Sequence, residues 1–237
     1  MRKNWRRLLV KLSGESLCGE GSQGIDSEKT RFVAEQIASC VRLGKETAVV
    51  VGGGNLLRGK VFSKGSGFSR ATSDYMGMLA TIINGLALQD VLENMGFETR
   101  VMSAIHAHQV AEPFIRRRAT RHLEKGRVVI LVGGTGNPYF STDMQAAIRA
   151  TEVAAEVFLK ATKVDGVYSA DPKTDPSARR FDSISYDEYL RLGLKVVDPE
   201  AVAMCREHGL PVLVFNYSDP DNLTEAASGR EIGSVIA

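Results

Sequence analysis

Residues 128–143, VVILVGGTGNPYFSTD, carry the pattern that decides the fold. The first five form an uninterrupted apolar run, which predicts a strand buried on both faces. The next six contain three glycines and Pro138, so their backbone N–H groups can approach a ligand closely. Ser141 or Thr142 is expected to cap the following helix, whose first N–H groups attract an anion. This order predicts an α/β protein with a ligand site at one edge of its sheet.

Two aromatic residues, Tyr139 and Phe140, follow the glycines. Their flat rings would lie beside the expected anion site. An ordinary strand-to-helix connection needs only one or two glycines, whereas this loop has three together with a proline. The loop is therefore predicted to bind a phosphorylated small molecule that carries a ring.

The composition is typical of a soluble globular protein, with 237 residues, of which 43 % are hydrophobic and 24 % charged. A formal net charge of +2 is too small to predict nucleic-acid binding. The arginines at 116–118 and 121 have glutamates nearby, which favours a solvated helix face. Three distant cysteines imply no disulfide framework. Neither a signal peptide nor a membrane span is expected, because the apolar runs are too short. We expect a cytoplasmic protein.

Strands and helices are predicted to alternate along the chain, which indicates an α/β sandwich with a mostly parallel central sheet. Strands are predicted at 7–12, 47–51, 98–102, 128–132, 157–161, 212–215 and 231–236. Helices are predicted at about 26–44, 72–96, 113–125, 142–155, 185–192 and 199–209, with a last one opening at Asp219-Pro220. No composition shift marks a linker, so residues 1–237 are expected to form one domain.

Glycines follow three of the predicted strands. We name these segments the first glycine loop (13–14), the second glycine loop (52–54) and the third glycine loop (133–136). The carboxyl ends of parallel strands meet at one sheet edge, so the three loops are expected to lie together. One phosphate needs one such loop. Three loops therefore indicate a very long ligand, or two phosphorylated ligands that face each other.

Crowded phosphates require positive charges, because two like charges about 4 Å apart repel by about 4 kcal/mol at an effective dielectric constant of about 20. Lys11 is the first candidate, since a lysine in a buried strand is otherwise costly. Arg58 is the second. Asp143 is expected either to hold a lysine or to interact with the helix dipole. Asp74 is expected either to accept hydrogen bonds from a sugar or to cap its helix.

Other known site motifs are incomplete in this sequence. Residues 54–60, GNLLRGK, have the spacing of a P-loop, but Val61 replaces the Ser or Thr that would hold Mg²⁺. A G-x-G-x-x-G dinucleotide motif is missing as well. His106 and His108 are expected on one face of a strand, without the acidic or cysteine residues that would complete a metal site. Phosphoryl transfer without a P-loop is the chemistry that remains.

In this order, the motifs resemble the bacterial uridylate (UMP) kinases of the amino acid kinase superfamily over nearly the whole chain. The matching segments are KLSGE (11–15), GGGN (52–55), RG (58–59), Asp74 with MGMLAT (76–81), GTGNP (134–138), TD (142–143), KATKVDGVY (160–168), ADP (170–172) and VFN (214–216). The resemblance implies a three-layer αβα sandwich and the reaction UMP + ATP → UDP + ADP, with Mg²⁺ bound to ATP.

The resemblance also implies roles for individual residues. Catalytic roles are implied for Lys11, Arg58 and Asp143. ATP contacts are implied for Lys11, Leu12, Ser13, Gly14, Gly54, Arg58, Thr162, Tyr168 and Asp171. UMP contacts are implied for Gly53, Asp74, Thr135, Gly136, Asn137, Pro138, Tyr139, Phe140, Ser141 and Thr142. The motifs supply no general base, so catalysis is expected to depend on positioning and charge neutralisation.

Assembly and regulation follow from the resemblance alone. It implies a homohexamer, with UTP as an inhibitor and, in many relatives, GTP as an activator. Residues 19–24 match a segment linked to the GTP response, although such a composition is also typical of a flexible loop. Three alternatives stay open: a kinase for a carboxylate or carbamate, a non-catalytic nucleotide-binding or storage protein, and a secondary DNA-binding role.

Overall fold

Alternating strands and helices build the chain, and a computed structural model describes residues 4–19, 21–57, 67–172 and 174–237. The strands are β1 (Arg7–Leu12), β2 (Glu46–Val51), β3 (Thr99–Ser103), β4 (Glu112–Pro113), β5 (Val128–Val132), β6 (Val157–Thr162), β7 (Val167–Tyr168), β8 (Arg180–Phe181), β9 (Ser183–Ile184), β10 (Val212–Asn216) and β11 (Ser234–Ile236). The helices are α1 (Ser27–Arg42), α2 (Arg70–Asn94), α3 (Arg116–Glu124), α4 (Thr142–Glu152), α5 (Tyr186–Arg191), α6 (Pro199–Glu207) and α7 (Asn222–Ala227).

Within the residues that the structure describes, the central sheet has nine strands in the order β4-β3-β5-β2-β1-β6-β10-β11-β9. Neighbouring strands of this sheet run parallel, except that β10 and β11 are antiparallel to each other. Strands β7 and β8 form a separate antiparallel pair. The strands that precede the three glycine loops, β1, β2 and β5, are neighbours. Their carboxyl ends therefore bring the loops together at one edge of the sheet, as the sequence predicts.

Two apolar cores cover the two faces of the sheet. Alternate residues of β1 point to opposite sides, so Leu8 and Val10 lie in one core and Leu9 lies in the other. Helices α1, α2 and α7 contribute to the first core, and α3, α4, α5 and α6 contribute to the second. The predicted three-layer αβα sandwich with a mostly parallel sheet is confirmed.

Several predicted boundaries are correct and others are wrong. Strands β1 and β5 have the predicted bounds. Helix α2 begins at Arg70 rather than at 72–73, because the Ser69 hydroxyl accepts a hydrogen bond from the Thr72 N–H (3.2 Å). The last helix begins after Asp221 rather than at Asp219-Pro220, because the Asp219 carboxylate accepts from the Asp221 N–H (3.0 Å) and holds a turn there.

The two-residue strands β4, β7, β8 and β9 were not predicted, since such short segments show no periodicity. His106 and His108 lie in the loop after β3, so the expectation that they share a strand face is wrong. Their ring centroids are 4.9 Å apart and the ring planes are tilted by 32°. The arginines of α3 are exposed, as expected for a solvated face, and Arg118 and Arg121 pair with glutamates.

Helix α2 is long and apolar enough, by length and composition, to cross a membrane. In the fold, however, Met78, Leu88 and Leu92 of this helix are buried. The helix also packs closely on the sheet, since a Cβ added at Gly85 would lie 2.6 Å from Val132. We therefore interpret α2 as a helix that packs on the central sheet.

Candidate active site

The first and second glycine loops are in direct contact. A Cβ atom at Gly14 would lie 2.5 Å from the side-chain oxygen of Asn55, 2.6 Å from the Gly52 carbonyl and 2.7 Å from the Gly54 nitrogen. Because real Cβ atoms do not approach other atoms so closely, only glycine fits at position 14. The two loops therefore act as one surface at the ends of β1 and β2.

A cavity of about 280 Å³ opens between these loops, the start of α2 and the start of α4. Nine of the nineteen residues implied in ATP and UMP binding line it, whereas residues 135–139 do not. The nine are Lys11, Ser13, Gly14, Gly53, Gly54, Asp74, Phe140, Ser141 and Thr142. The predicted clustering of these residues is therefore present in the structure. Leu12 lies in the core, so only its backbone faces this edge, and its carbonyl accepts from the Gly52 N–H (3.0 Å).

Two lysines and one aspartate form a charged cluster beside this cavity. Lys11 and Lys160 are directly opposite each other in the register of β1 and β6, so their ammonium groups would repel. The Asp143 carboxylate lies between them. Its Oδ1 is 2.8 Å from the Lys11 ammonium, and its Oδ2 accepts a hydrogen bond from Lys160. All three residues are buried, with exposures of 8 %, 8 % and 4 % for Lys11, Lys160 and Asp143.

Burial and charge together set the pKa values in this cluster. Burial opposes ionisation of Asp143, but the charges of Lys11 and Lys160 outweigh it and lower its pKa to about 2. Burial also disfavours the charged form of Lys160. Together with the nearby charge of Lys11, it lowers the pKa of Lys160 to about 8 despite the attraction of Asp143. The cluster carries a net positive charge at neutral pH, which suits a phosphate.

The amino-terminal end of α4 places Asp143 in this position. Ser141 caps the helix, since its hydroxyl accepts from the Met144 N–H (3.1 Å), so of the two predicted caps Ser141 is correct. Asp143 follows in the first turn. The N–H of Asp198, which precedes α6, is 3.3 Å from Oδ2 of Asp143 and helps to fix its carboxylate. Asp143 was expected to hold a lysine, and in the structure its carboxylate contacts two lysines, Lys11 and Lys160.

Asp74 connects α2 to the loop after β5. Its Oδ2 accepts from the Tyr139 N–H (2.8 Å), and the Arg70 side chain lies 3.2 Å from the same oxygen. Ser69 caps α2, so the alternative that Asp74 caps its helix is wrong. Tyr139 has φ = 75°, which is rare for a residue with a side chain. The Asp74 carboxylate thus stabilises an unfavourable turn beside the cavity.

The loop of residues 135–140 is held by its own polar groups. The Thr135 hydroxyl accepts from the Asn137 N–H (3.2 Å) and donates to the Asn137 carbonyl (3.0 Å). Gly136 has φ = 86°, a conformation that favours glycine. Tyr139 and Phe140 follow Pro138 with both rings exposed, and Phe140 lines the cavity. The aromatic surface expected next to the anion site is therefore accessible.

A second cavity, of about 570 Å³, lies beside β7. Tyr168 and Asp171, which the resemblance places near adenosine, both line it, together with apolar residues that include Val167 and Val196. The Tyr168 hydroxyl donates to Asp165 (2.9 Å). Thr162, the third residue implied near adenosine, ends β6 and does not line this cavity.

Arg58, predicted as a catalytic and ATP-binding residue, lies outside the described residues. Residues 59 and 60, which end the segment with P-loop spacing, lie outside them as well. Over the ranges that the structure describes, no group of three or more His, Cys, Asp or Glu side chains could hold a metal ion.

Both the sequence and the fold have relatives among known proteins. Residues 6–216 match the amino acid kinase family. The chain belongs to the amino acid kinase family. This kinase is 51 % identical over 232 residues to the chloroplastic uridylate kinase PUMPKIN of Arabidopsis thaliana, covering 98 % of the chain and 68 % of that relative. The family membership predicted from the sequence motifs is confirmed.

Solved structures of bacterial proteins have the same fold as this amino acid kinase. The UMP kinase of Bacillus anthracis is 37 % identical, with a TM-score of 0.96 over 99 % of this chain and 96 % of that one. The UMP kinase of Ureaplasma parvum is also 37 % identical, with a TM-score of 0.92 over 100 % of both chains.

Several site residues of this kinase were not predicted from the sequence. Lys160 is the most important, and it carries the signal that identified Lys11, a lysine in an otherwise apolar strand. Asn84 and Thr81 were also missed. The Thr81 hydroxyl accepts from the Gly133 N–H (2.8 Å), so α2 supports the third glycine loop. No local pattern marks these two positions, because their importance comes from contacts between distant segments.

Proposed function

We infer that the chain is an ATP-dependent uridylate kinase that converts UMP and ATP to UDP and ADP in pyrimidine nucleotide synthesis. The observation that supports this assignment best is the cluster of Lys11, Asp143 and Lys160 beside a glycine-walled cavity. Family membership and relatives that are uridylate kinases give the substrate class. We propose that residues 1–237 work as one domain.

The proposed mechanism depends on positioning and charge neutralisation. An oxygen of the UMP phosphate attacks the γ-phosphorus of ATP, and the bond from that phosphorus to the β–γ bridging oxygen breaks. The electron pair stays on ADP. No proton has to be removed, because the UMP phosphate is already ionised at pH 7. Lys11 and Lys160 offset the charge that spreads over the transferred group, while backbone N–H groups of the glycine loops orient it.

Mg²⁺ is proposed to enter as part of the MgATP substrate. Phosphoryl transfer in this kinase class requires compensation of the phosphate charge, and a divalent cation on the phosphates supplies it. Asp143, the buried carboxylate of the site, is already engaged by two ammonium groups. We therefore assign Mg²⁺ to the phosphate oxygens of ATP and assign Asp143 to the two lysines.

The two cavities are proposed to hold different parts of the substrates. Adenosine contacts are assigned to Thr162, Tyr168 and Asp171, of which the last two line the larger cavity. Phosphate contacts are assigned to Lys11, Ser13, Gly14, Gly54 and Arg58. UMP is assigned to the smaller cavity, where its base and sugar would lie near the 135–142 loop and Asp74. The apolar lining of the larger cavity suits a ring system.

The oligomeric state is proposed to be a homohexamer. Leu79 and Ile83 of α2 are 53 % and 51 % exposed, and Tyr75 extends the same ridge by one turn. Residues four apart lie on one helix face, so these side chains form an apolar ridge that a second copy of the chain would cover.

We propose a cytoplasmic enzyme that responds to GTP and UTP.

Light scattering after gel filtration tests the assembly. Leu79→Asp and Ile83→Asp are each expected to reduce the particle mass, because a buried charge would oppose the contact between copies. Leu43→Asp changes a similarly exposed leucine at the end of α1 and should leave the mass unchanged. A wild-type mass equal to one chain would contradict the proposed assembly.

The activity is tested by a coupled assay that measures ADP release with UMP, CMP and dUMP as acceptors, each with and without GTP. We expect the highest kcat/KM with UMP. ADP release that depends on acetylglutamate rather than UMP would favour a carboxylate kinase. Tight binding of ATP without release of ADP would favour a storage protein.

A further inference from the structure

Two buried asparagines form a reciprocal amide pair behind the second glycine loop. Asn55 is 2 % exposed and Asn84 is fully buried. The Asn55 amide donates to the Asn84 side-chain oxygen (3.0 Å), and the Asn84 amide donates to the Asn55 side-chain oxygen (2.7 Å). Neither side chain lines the cavity beside Lys11.

The remaining amide hydrogens of the pair hold backbone on two sides. Asn84 also donates to the Gly52 carbonyl (2.7 Å), at the base of the second glycine loop. Asn55 also donates to the Gly24 carbonyl (2.8 Å), and the Gly24 N–H returns a bond to the Asn55 carbonyl (3.0 Å). The pair therefore ties three distant segments together: residues 21–26, the second glycine loop and the middle of α2.

The same pair is also packed against the first glycine loop. The Asn55 oxygen occupies the space that a Cβ at Gly14 would need, at 2.5 Å. On the other side, a Cβ at Gly53 would lie 2.8 Å from both the Ala80 Cβ and the Gly77 carbonyl of α2. The second glycine loop thus lies between α2 and the first glycine loop. The amide pair fixes the position of the second glycine loop relative to these two neighbours.

We propose that Asn55 and Asn84 are positioning residues for phosphoryl transfer, which orient the N–H groups of the second glycine loop and link that loop to residues 21–26. The proposal rests on the assignment of this loop to phosphate binding. Misplacement of a phosphate by about 1 Å can reduce turnover by about 100-fold, so a network that fixes the loop affects kcat directly. Neither asparagine touches substrate in this proposal.

The single variants Asn55→Ala and Asn84→Ala and the double variant test the proposal by steady-state kinetics well below the unfolding temperature. Each single variant is expected to lower kcat by about 10-fold to 100-fold, with less than threefold change in either KM. The double variant should be no more than threefold slower than the slower single variant, because both residues act through one link.

Gln89→Met is the matched control for these variants. Like Asn84, Gln89 is on α2 and its side-chain amide donates to a backbone carbonyl, that of Thr99 (3.1 Å). Thr99 begins β3, so this contact lies at the end of the sheet away from the glycine loops. This variant should lower the unfolding temperature while kcat stays within twofold of the wild type. The proposal is overturned if both asparagine variants behave as Gln89→Met does, or if their effects on kcat multiply.

Hydrogen–deuterium exchange on the wild-type enzyme gives a test that needs no variant, so it does not depend on whether the variants fold. Binding of UMP with a non-hydrolysable ATP analogue is expected to slow amide exchange in both residues 52–57 and residues 21–26, because the amide pair couples them. Slower exchange in 52–57 alone would overturn the coupling. If exchange slowed in neither segment, the assignment of the second glycine loop to phosphate binding would itself be wrong.

Discussion

Lys11 lies directly opposite Lys160 on neighbouring strands, and both ammonium groups contact one buried carboxylate, that of Asp143. Two ammonium groups at paired positions of neighbouring strands repel each other. Here the carboxylate at the start of α4 holds them together and leaves one net positive charge for a phosphate. The arrangement explains how a lysine can be buried in each of two central strands.

The first prediction concerns Lys11. Lys11→Ala should lower kcat by roughly 100-fold, about 2.7 kcal/mol, while either KM changes much less, because the charge matters most in the transition state. Steady-state kinetics with both substrates varied would measure this. Lys29→Ala, which removes an exposed lysine of α1, should have little effect. A loss of affinity alone would show that Lys11 only binds substrate.

The second prediction concerns Asp143. Asp143→Asn leaves two buried ammonium groups side by side without a counter-charge, so it should destabilise the fold by about 3–5 kcal/mol and reduce kcat strongly. Thermal unfolding and kinetics would measure the two effects. In the double variant Asp143→Asn/Lys160→Met, stability should partly return while activity does not. An unchanged unfolding temperature in Asp143→Asn would show that the carboxylate does not hold the lysines.

The third prediction is a pH dependence that follows from the lowered pKa of Lys160, about 8 in the nucleotide-free enzyme against a usual 10.5. As pH rises through 8, Lys160 loses its proton and attracts phosphate less, so kcat/KM should fall. Between pH 8 and 10.5 the unfolded chain binds more protons at this residue than the folded chain does. The contribution of Lys160 to stability therefore rises over this window.

Kinetics of Lys160→Arg between pH 6 and 10 would test the origin of this fall. Arginine stays protonated over this range, so the decline in kcat/KM above pH 8 should disappear even if the overall rate is lower. The wild-type profile is the reference. A decline that persists unchanged in Lys160→Arg would assign the titration to another group.

Local sequence patterns were sufficient for the layers of the fold but not for the whole site. Strand β5 and its glycine loop were predictable, because apolar runs and glycines leave a local signal. The partnership of Asp143 with Lys160 was not, because it depends on the strand order that places β6 beside β1. The same reason explains why Asn84 was missed, since its partners are about 30 residues away along the chain.

Gly54 and Gly14 both line the cavity beside Lys11, but they differ in the space around them. A Cβ at Gly54 would meet no atom within 4 Å, and this glycine does not have a positive φ. Gly54→Ala should therefore fold with an unfolding temperature within a few degrees of the wild type, but its methyl group would extend into the cavity and block a phosphate. We expect the KM for ATP to rise by about tenfold or more.

Gly14→Ala is the contrasting variant, because its methyl group would lie 2.6–2.7 Å from backbone atoms of the second glycine loop. It should lower the unfolding temperature clearly, since backbone has to move to relieve the overlap. Calorimetry and ATP-dependent kinetics on both variants separate a ligand contact from a packing contact. If Gly54→Ala bound ATP as the wild type does, the second glycine loop would not be the surface against which the phosphates lie.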